Sequence, residues 1–156
     1  MYRTHTCGEL RLDHRNQEVT LFGKKHGMPL GIAPTGPAGM LWYQGELELA
    51  RAAKAANIPF TLATGSQTSM EDVARLVGGT LWFQLYMSKD REAAVRLVNR
   101  ARDAGYEALI VTTDVPLIGN REPNLRNGWQ IPFKLGVKNM IDGVLHPHWL
   151  VNTFFR

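Results

Sequence analysis

At 156 residues the chain is long enough for one domain. Hydrophobic residues make up 44% and charged residues 21%, a globular balance that excludes a disordered polypeptide. The net charge of +4 is small, and its nearest cluster, Arg3, Arg11, Arg15, Lys24 and Lys25, is spread among histidines and acids, which argues against a nucleic-acid partner.

Met1–Leu10 lacks the apolar core of a signal peptide. Its Cys7 is the single cysteine, so no internal disulfide can form, and the cytoplasm is the expected location. No stretch approaches the roughly 18 apolar residues of a membrane span. Pro29–Ala33 is the first short apolar run of strand length. Glu46–Asn57 follows, rich in Ala, Leu, Glu, Arg and Lys, and is predicted helical. Ile58–Ala63 is the second strand-like run. Thr68-Ser69-Met70-Glu71 matches a capping box, which opens a helix to about Val77 that Gly78-Gly79 stops. Leu81–Leu85 is the third run. Ser88 can cap the next helix, with Asp90 and Glu92 at its positive end and Ala94, Leu97, Val98, Ala101 and Ala104 on one face, before Gly105. Ala108–Thr113 is the fourth run.

None of the four runs alternates cleanly with polar residues, as expected for a parallel sheet covered on both faces. Repeated strand–helix order predicts an α/β fold, either a doubly wound sheet or part of an eightfold barrel. Beyond Asp114 the pattern changes. Val115–Arg156 holds Pro116, Pro123, Pro132 and Pro147 with Gly119, Gly128, Gly136 and Gly143, and it reads as one long loop without a full-length helix. No fifth strand follows, whereas a barrel takes about 250 residues, so the expectation is a chain truncated before that strand. Trp149-Leu150-Val151 with Phe154-Phe155-Arg156 reads as the start of a buried helix, with an interfacial membrane segment as the alternative.

Ligands of α/β proteins sit at the carboxyl ends of the strands. Those ends carry Pro34-Thr35-Gly36, Thr64-Gly65-Ser66, Gln84 with Tyr86, and Thr112-Thr113-Asp114 with Arg121 beyond. A flat heteroaromatic cofactor needs backbone amides at close approach and side-chain amides along its edge. Gly36 permits close approach, Gln84 offers a donor and an acceptor, and Arg121 can fork onto a carboxylate. Each also has a plainer reading: a turn at Thr35-Gly36, a satisfied backbone group at Gln84, a rim aromatic at Tyr86, a loop cap at Asp114, a surface ion pair at Arg121. The dinucleotide, Walker and nucleophile-elbow motifs are absent. His146-Pro147-His148 lacks partners at metal spacing.

Gly31-Ile32-Ala33-Pro34-Thr35-Gly36, Trp82-Phe83-Gln84-Leu85-Tyr86, and Thr112-Thr113-Asp114 followed by Gly119-Asn120-Arg121-Glu122 together resemble the FMN-dependent α-hydroxy-acid dehydrogenase and oxidase family. Leu145-His146-Pro147-His148-Trp149 resembles its mandelate- or lactate-dehydrogenase-like branch, and the match covers roughly residues 12 to 150, leaving 1–11 unmatched. The resemblance implies a partial (β/α)8 barrel, about its first four βα units, within an incomplete domain over 1–156, the last part of it the long loop 115–156. It implies FMN at the carboxyl face, with backbone amides of Thr35 and Gly36 beside Pro34 near the flavin, Gln84 and Thr112 on its pyrimidine edge, and Tyr86 lining both flavin and substrate. Arg121 would meet the carboxylate of a small 2-hydroxy acid, which is oxidised to a 2-keto acid. Oxygen or a quinone-linked carrier would reoxidise the flavin. The full-length parent is expected to be a homo-oligomer in the cytoplasm or at the inner-membrane surface.

Two departures stand out. The family usually has a hydroxyl residue where this chain has Ala63, which removes a flavin contact. By the same resemblance, the catalytic His, a second substrate Arg, a flavin-contacting Lys and the phosphate-binding glycines lie beyond residue 156, so the isolated chain is expected to be inactive. The alternatives are another β/α-barrel enzyme binding a phosphorylated substrate, which lacks a strand-end lysine here, or a non-catalytic half-barrel pairing through an open sheet edge.

Overall fold

The computed structural model describes residues 16–113, 122–126 and 136–154. Its first element is a hairpin, β1 (Val19–Leu21) and β2 (Lys24–His26), paired antiparallel. Phe22 and Gly23 join the strands with φ of 49° and 79°, the left-handed pair that a two-residue hairpin turn requires. The hairpin is not legible in the sequence because Lys24-Lys25 interrupts the period-2 pattern.

Three parallel strands form the sheet, in the order β3 (Phe60–Ala63), β4 (Leu81–Tyr86), β5 (Ala108–Thr112). The second, third and fourth apolar runs therefore are strands. The first is not: within Pro29–Ala33 only Ile32 bridges to Phe60, with its N–H on Pro59 O at 2.9 Å and its carbonyl accepting from Thr61 N at 3.0 Å. Pro29 and Pro34 have no N–H to extend a ladder, so this segment lies along β3 with a single residue paired. All four residues of β3 are buried, whereas β5 alternates between half-buried and exposed. Leu109 and Val111 point outward from β5, the edge strand among the described residues.

Helices α1 (Gly45–Ala55), α2 (Met70–Leu76) and α3 (Arg91–Asp103) alternate with these strands. Leu47, Ala50 and Ala53 of α1 and Val73 of α2 join Phe60, Leu62, Leu81, Phe83 and Leu85 in one core. The caps sit slightly off their sequence positions. Ser69, not Thr68, caps α2 by accepting from Asp72 N at 3.1 Å, and Asp90, not Ser88, caps α3 by accepting from Ala93 N at 3.0 Å. Ser88 Oγ instead accepts from Asp90 N. The two capping helices are tied on their outer face by Arg100, which forks onto Glu71 at 2.9 Å through both Nε and a terminal nitrogen. That guanidinium holds the Glu71 carboxyl below the usual carboxylate range, so the clamp is formed at neutral pH and is lost as the pH falls through the lowered value. Tyr106 donates from beneath them to Met70 O at 3.1 Å, and burial, with Glu71's charge second, pushes its hydroxyl pKa up.

The segment read as a loop contains helices: α4 (Glu122–Arg126), α5 (Val137–Leu145) and α6 (Pro147–Phe154). They were illegible because they are short, Gly143 lies inside α5, and Pro147 looks like a breaker although it opens α6, where a missing N–H costs nothing. Trp149 on α6 donates to Met40 O at 2.9 Å, across 109 positions of sequence. Trp149 and Leu150 are half-buried, and Val151 is exposed.

The hairpin covers the amino end of the sheet. Lys24 reaches Glu107, just before β5, at 2.6 Å; Phe22 stands edge-on to Trp82 at the start of β4; Gly27 N bonds Asn57 O ahead of β3. His26, at the end of β2, is 1% exposed, and neither ring nitrogen has a hydrogen-bond partner among the described residues. Leaving such a group unpaired costs roughly 1–3 kcal/mol. His26→Leu is expected to raise stability by about 1 kcal/mol, or about 3 °C in melting temperature for a domain of this size. Differential scanning calorimetry checks this, and an unchanged or lower melting temperature would show that the ring is in fact satisfied.

Candidate functional site

The parallel register sets up the site. Ala63 lies opposite Gln84, Gln84 opposite Ile110, and Tyr86 opposite Thr112, so the carboxyl ends of three strands form one row. The turn Pro34-Thr35-Gly36 joins this row from the β3 side. A Cβ placed on Gly36 would stand 3.1 Å from Gly65 O and 3.2 Å from the Ala63 methyl, so the turn lies directly on the end of β3 and glycine is what allows it. Thr35 Oγ1 donates to Ala33 O at 3.4 Å, a long bond within its own turn. Pro34, Thr35 and Gly36 are all exposed, which leaves their backbone open to a ligand.

Gln84 is 2% exposed and occupies the middle of a hydrogen-bond chain. Thr64 N donates to its Oε1 at 3.2 Å, and its Nε2 donates to Thr112 Oγ1 at 2.7 Å. Thr64 Oγ1 donates to Gln84 O at 2.6 Å and accepts from Tyr86 N at 3.2 Å. The plainer reading of Gln84, a side chain satisfying a neighbouring backbone, is thus half of what it does. Its amide also retains one N–H, and Thr112, having accepted, keeps its own proton to donate. Both groups thus keep a donor hydrogen beyond the bond between them. Tyr86 is exposed at the end of β4, open to whatever occupies the space above the strands.

Two residues were not singled out from sequence. Thr64 was named only as part of a strand-end turn, since nothing in one sequence distinguishes a bridging threonine from a surface one. Glu46, in the first turn of α1, is 1% exposed and has no cation beside it among the described residues. It accepts from Gln67 N and from Thr68 Oγ1, both at 3.2 Å, and so ties the loop after β3 to the start of α1. An acid in a first helical turn was the available signal. Asp114 and Arg121 lie outside the described residues.

A concavity of about 200 Å³ lies elsewhere, beside Phe83, Val98, Tyr106, Ala108 and Leu109. It opens between α3 and the start of β5, next to the open edge, and contains none of the strand-end polar groups. His146 and His148 are each occupied within their helices, by Asp142 O at 2.9 Å and by Asn152 at 3.1 Å.

This strand-end row sits in a chain whose residues 10–155 match the family model of FMN-dependent dehydrogenases. The chain belongs to that family. It is 47% identical over 138 residues to (S)-mandelate dehydrogenase of Pseudomonas putida, covering 88% of this chain and 35% of that protein. A putative L-lactate dehydrogenase of Mycobacterium tuberculosis is 42% identical over 130 residues, 83% of this chain and 31% of the relative. Among solved structures, the monotopic membrane protein (S)-mandelate dehydrogenase superposes with a TM-score of 0.82 at 46% identity, over 91% of this chain and 39% of that one. A mandelate oxidase structure gives 0.71 at 42%, over 75% and 35%. The chain spans about a third of the length of the curated relatives it matches. These neighbours are (β/α)8-barrel flavoenzymes, and the three-stranded parallel sheet with its helices is part of such a barrel. The family's cofactor is FMN, and its named members are 2-hydroxy-acid dehydrogenases and oxidases.

Removing the Gln84 amide leaves Thr64 N and Thr112 Oγ1 without their partners. Gln84→Leu is expected to lower stability by about 1–2 kcal/mol, and Gln84→Glu to lower it further at neutral pH, because it buries a carboxylate where Gln84 is only 2% exposed. Urea unfolding of the two variants checks the order; an unchanged stability in Gln84→Leu would show that the chain of bonds contributes nothing.

Proposed function

We propose that the strand-end row is the wall of a flavin site in an enzyme that oxidises a small 2-hydroxy acid to a 2-keto acid. The observation that carries this reading is the oriented donor set at Gln84 and Thr112, held between the backbone turn at Thr35-Gly36 and the exposed ring of Tyr86. The pyrimidine end of an isoalloxazine offers carbonyl oxygens and ring nitrogen along one edge, and a fixed row of donors suits it. FMN, when bound, supplies the acceptor for the two electrons that leave the hydroxy acid.

On this reading each residue of the chain has one task. The amides of Thr35 and Gly36, presented by Pro34, approach the ring edge that the side chains leave open. Gln84 and Thr112 fix the opposite edge. Tyr86 borders flavin and substrate, and Arg121 takes the substrate carboxylate by a bidentate pair. Oxidation also needs a base to take a proton from the substrate. Thr, Gln and Tyr are unsuited to that near neutral pH, and no histidine stands at the described strand ends, so the base comes from outside this row. The names of the relatives suggest mandelate or lactate as substrate. Oxygen or a quinone-linked carrier would reoxidise the flavin.

The chain supplied with FMN is expected to quench flavin fluorescence saturably, and with mandelate or lactate present to leave an electron-accepting dye oxidised. No saturable quenching would remove the flavin-wall reading; dye reduction by the chain alone would place a working base within it.

Peripheral membrane contact is part of the proposal. Among the described residues no helix is long and apolar enough to cross a membrane. Val137, Met140, Ile141, Val144 and Leu145 on α5 are exposed, as are Leu41 and Trp42 beside the anchor of α6. An apolar helix face of this kind suits an interfacial position, and a relative is itself described as monotopic. Sedimentation with anionic phospholipid vesicles is expected to carry the wild type down and to leave Ile141→Glu/Val144→Glu in solution; equal sedimentation of the two would discard the α5 face.

A further inference from the structure

We infer that Thr64 is the positioning residue that decides which way the Gln84 amide faces. The inference rests on the flavin reading above for its functional consequence, though not for its geometry.

An amide side chain can be turned over, exchanging donor for acceptor with almost no change of shape. In a site that recognises a ligand edge, one orientation matches the ligand and the other opposes it. Gln84 is fully buried two residues before the end of β4, so its orientation has to be set by the protein before any ligand arrives. Thr112 cannot set it, because a hydroxyl donates or accepts by rotating. The group that can is a backbone N–H, which only donates, and the one that reaches the amide is that of Thr64, 3.2 Å from Oε1. The oxygen must face Thr64, and the nitrogen must then face Thr112, where it stands at 2.7 Å.

The Thr64 N–H is in that place because of its own side chain. The β3–β4 ladder ends at Ala63 and Gln84, and the chain turns away at Gly65. Thr64 is kept beside β4 by its hydroxyl, which spans the Gln84 carbonyl at 2.6 Å and the Tyr86 N–H at 3.2 Å, extending the ladder by one side chain. Its hydroxyl proton is used on the carbonyl, and its lone pair on the amide, so both roles are fixed. Without the hydroxyl, the turn at 64–66 is free to draw back from β4, the Oε1 loses its obligate donor, and the Gln84 amide samples both orientations. One of these presents a carbonyl oxygen where the ligand edge needs a donor.

Thr64→Val keeps the shape and removes the hydroxyl; Thr64→Ser keeps the hydroxyl; Thr64→Ala repeats the removal should the second valine methyl disturb packing. The full chain is labelled with nitrogen-15, and the Gln84 side-chain resonance is identified by its loss in Gln84→Leu. In the wild type and Thr64→Ser its two amide protons are expected at well-separated shifts, protected from solvent exchange. In Thr64→Val and Thr64→Ala they are expected to converge and exchange faster. A core control, Val73→Ala, should lower the melting temperature without moving this resonance. The dissociation constant for FMN is expected to rise about tenfold in the two variants lacking the hydroxyl and to recover in Thr64→Ser. An unmoved Gln84 resonance in Thr64→Val overturns the inference whatever the flavin does. A moved resonance in a chain whose wild type does not bind FMN upholds the role of Thr64 and removes the flavin reading instead.

Discussion

The parallel register between β3 and β4 is the constraint on which the site depends. A parallel ladder fixes each residue against one partner, so placing Phe60 opposite Leu81 also places Ala63 opposite Gln84. A slip of one residue would turn the Gln84 amide to the other face of the sheet and break its bonds to Thr64 and Thr112. What holds the register is the core. Leu62 and Phe83 are fully buried on neighbouring strands, and their burial opposes any slip that would bring polar residues into their place. Apolar packing along the strands therefore sets the position of polar groups at their ends.

The two ends of the sheet are built differently. The amino end is covered by the β1–β2 hairpin through an ion pair, an aromatic edge contact and a backbone bond. The carboxyl end is left open, with Thr35, Gly36 and Tyr86 exposed around buried Gln84. Strand ends at this face are held by side chains instead of further strand. Thr64 extends the ladder by its hydroxyl, and Glu46 ties down the loop that follows. Such groups keep loops in place while leaving the backbone between them available. α6 adds a distant attachment at Met40, just beyond the Gly36 turn.

Much of this was legible in the sequence. Three of four apolar runs are strands, because runs of this length bounded by glycine and polar turns have few other stable outcomes in a covered sheet. The strand-end residues Gly36, Gln84, Tyr86 and Thr112 do meet in one row, since parallel strands of similar length necessarily bring their ends together. The run at Pro29–Ala33 failed for a local reason: prolines at its borders deprive it of ladder donors. The helices after β5 were hidden by Gly143 and Pro147, residues whose meaning depends on whether they fall inside a helix or at its first position. The hairpin was hidden by lysines whose stems and charges reach outward to Glu18 and Glu107.

The sequence by itself determined the family, the alternation of β3, β4 and β5 with the helices between them, and which residues stand near those strand ends, because these follow from motif spacing and from local periodicity along the chain. Only the tertiary structure decided how those residues are oriented. The direction of the Gln84 amide, the bridging of Thr64 and the burial of Glu46 and His26 depend on neighbours 20 or more positions away in most cases. Hydrogen-bond direction is a property of two groups brought together in space, and no spacing along one chain encodes it.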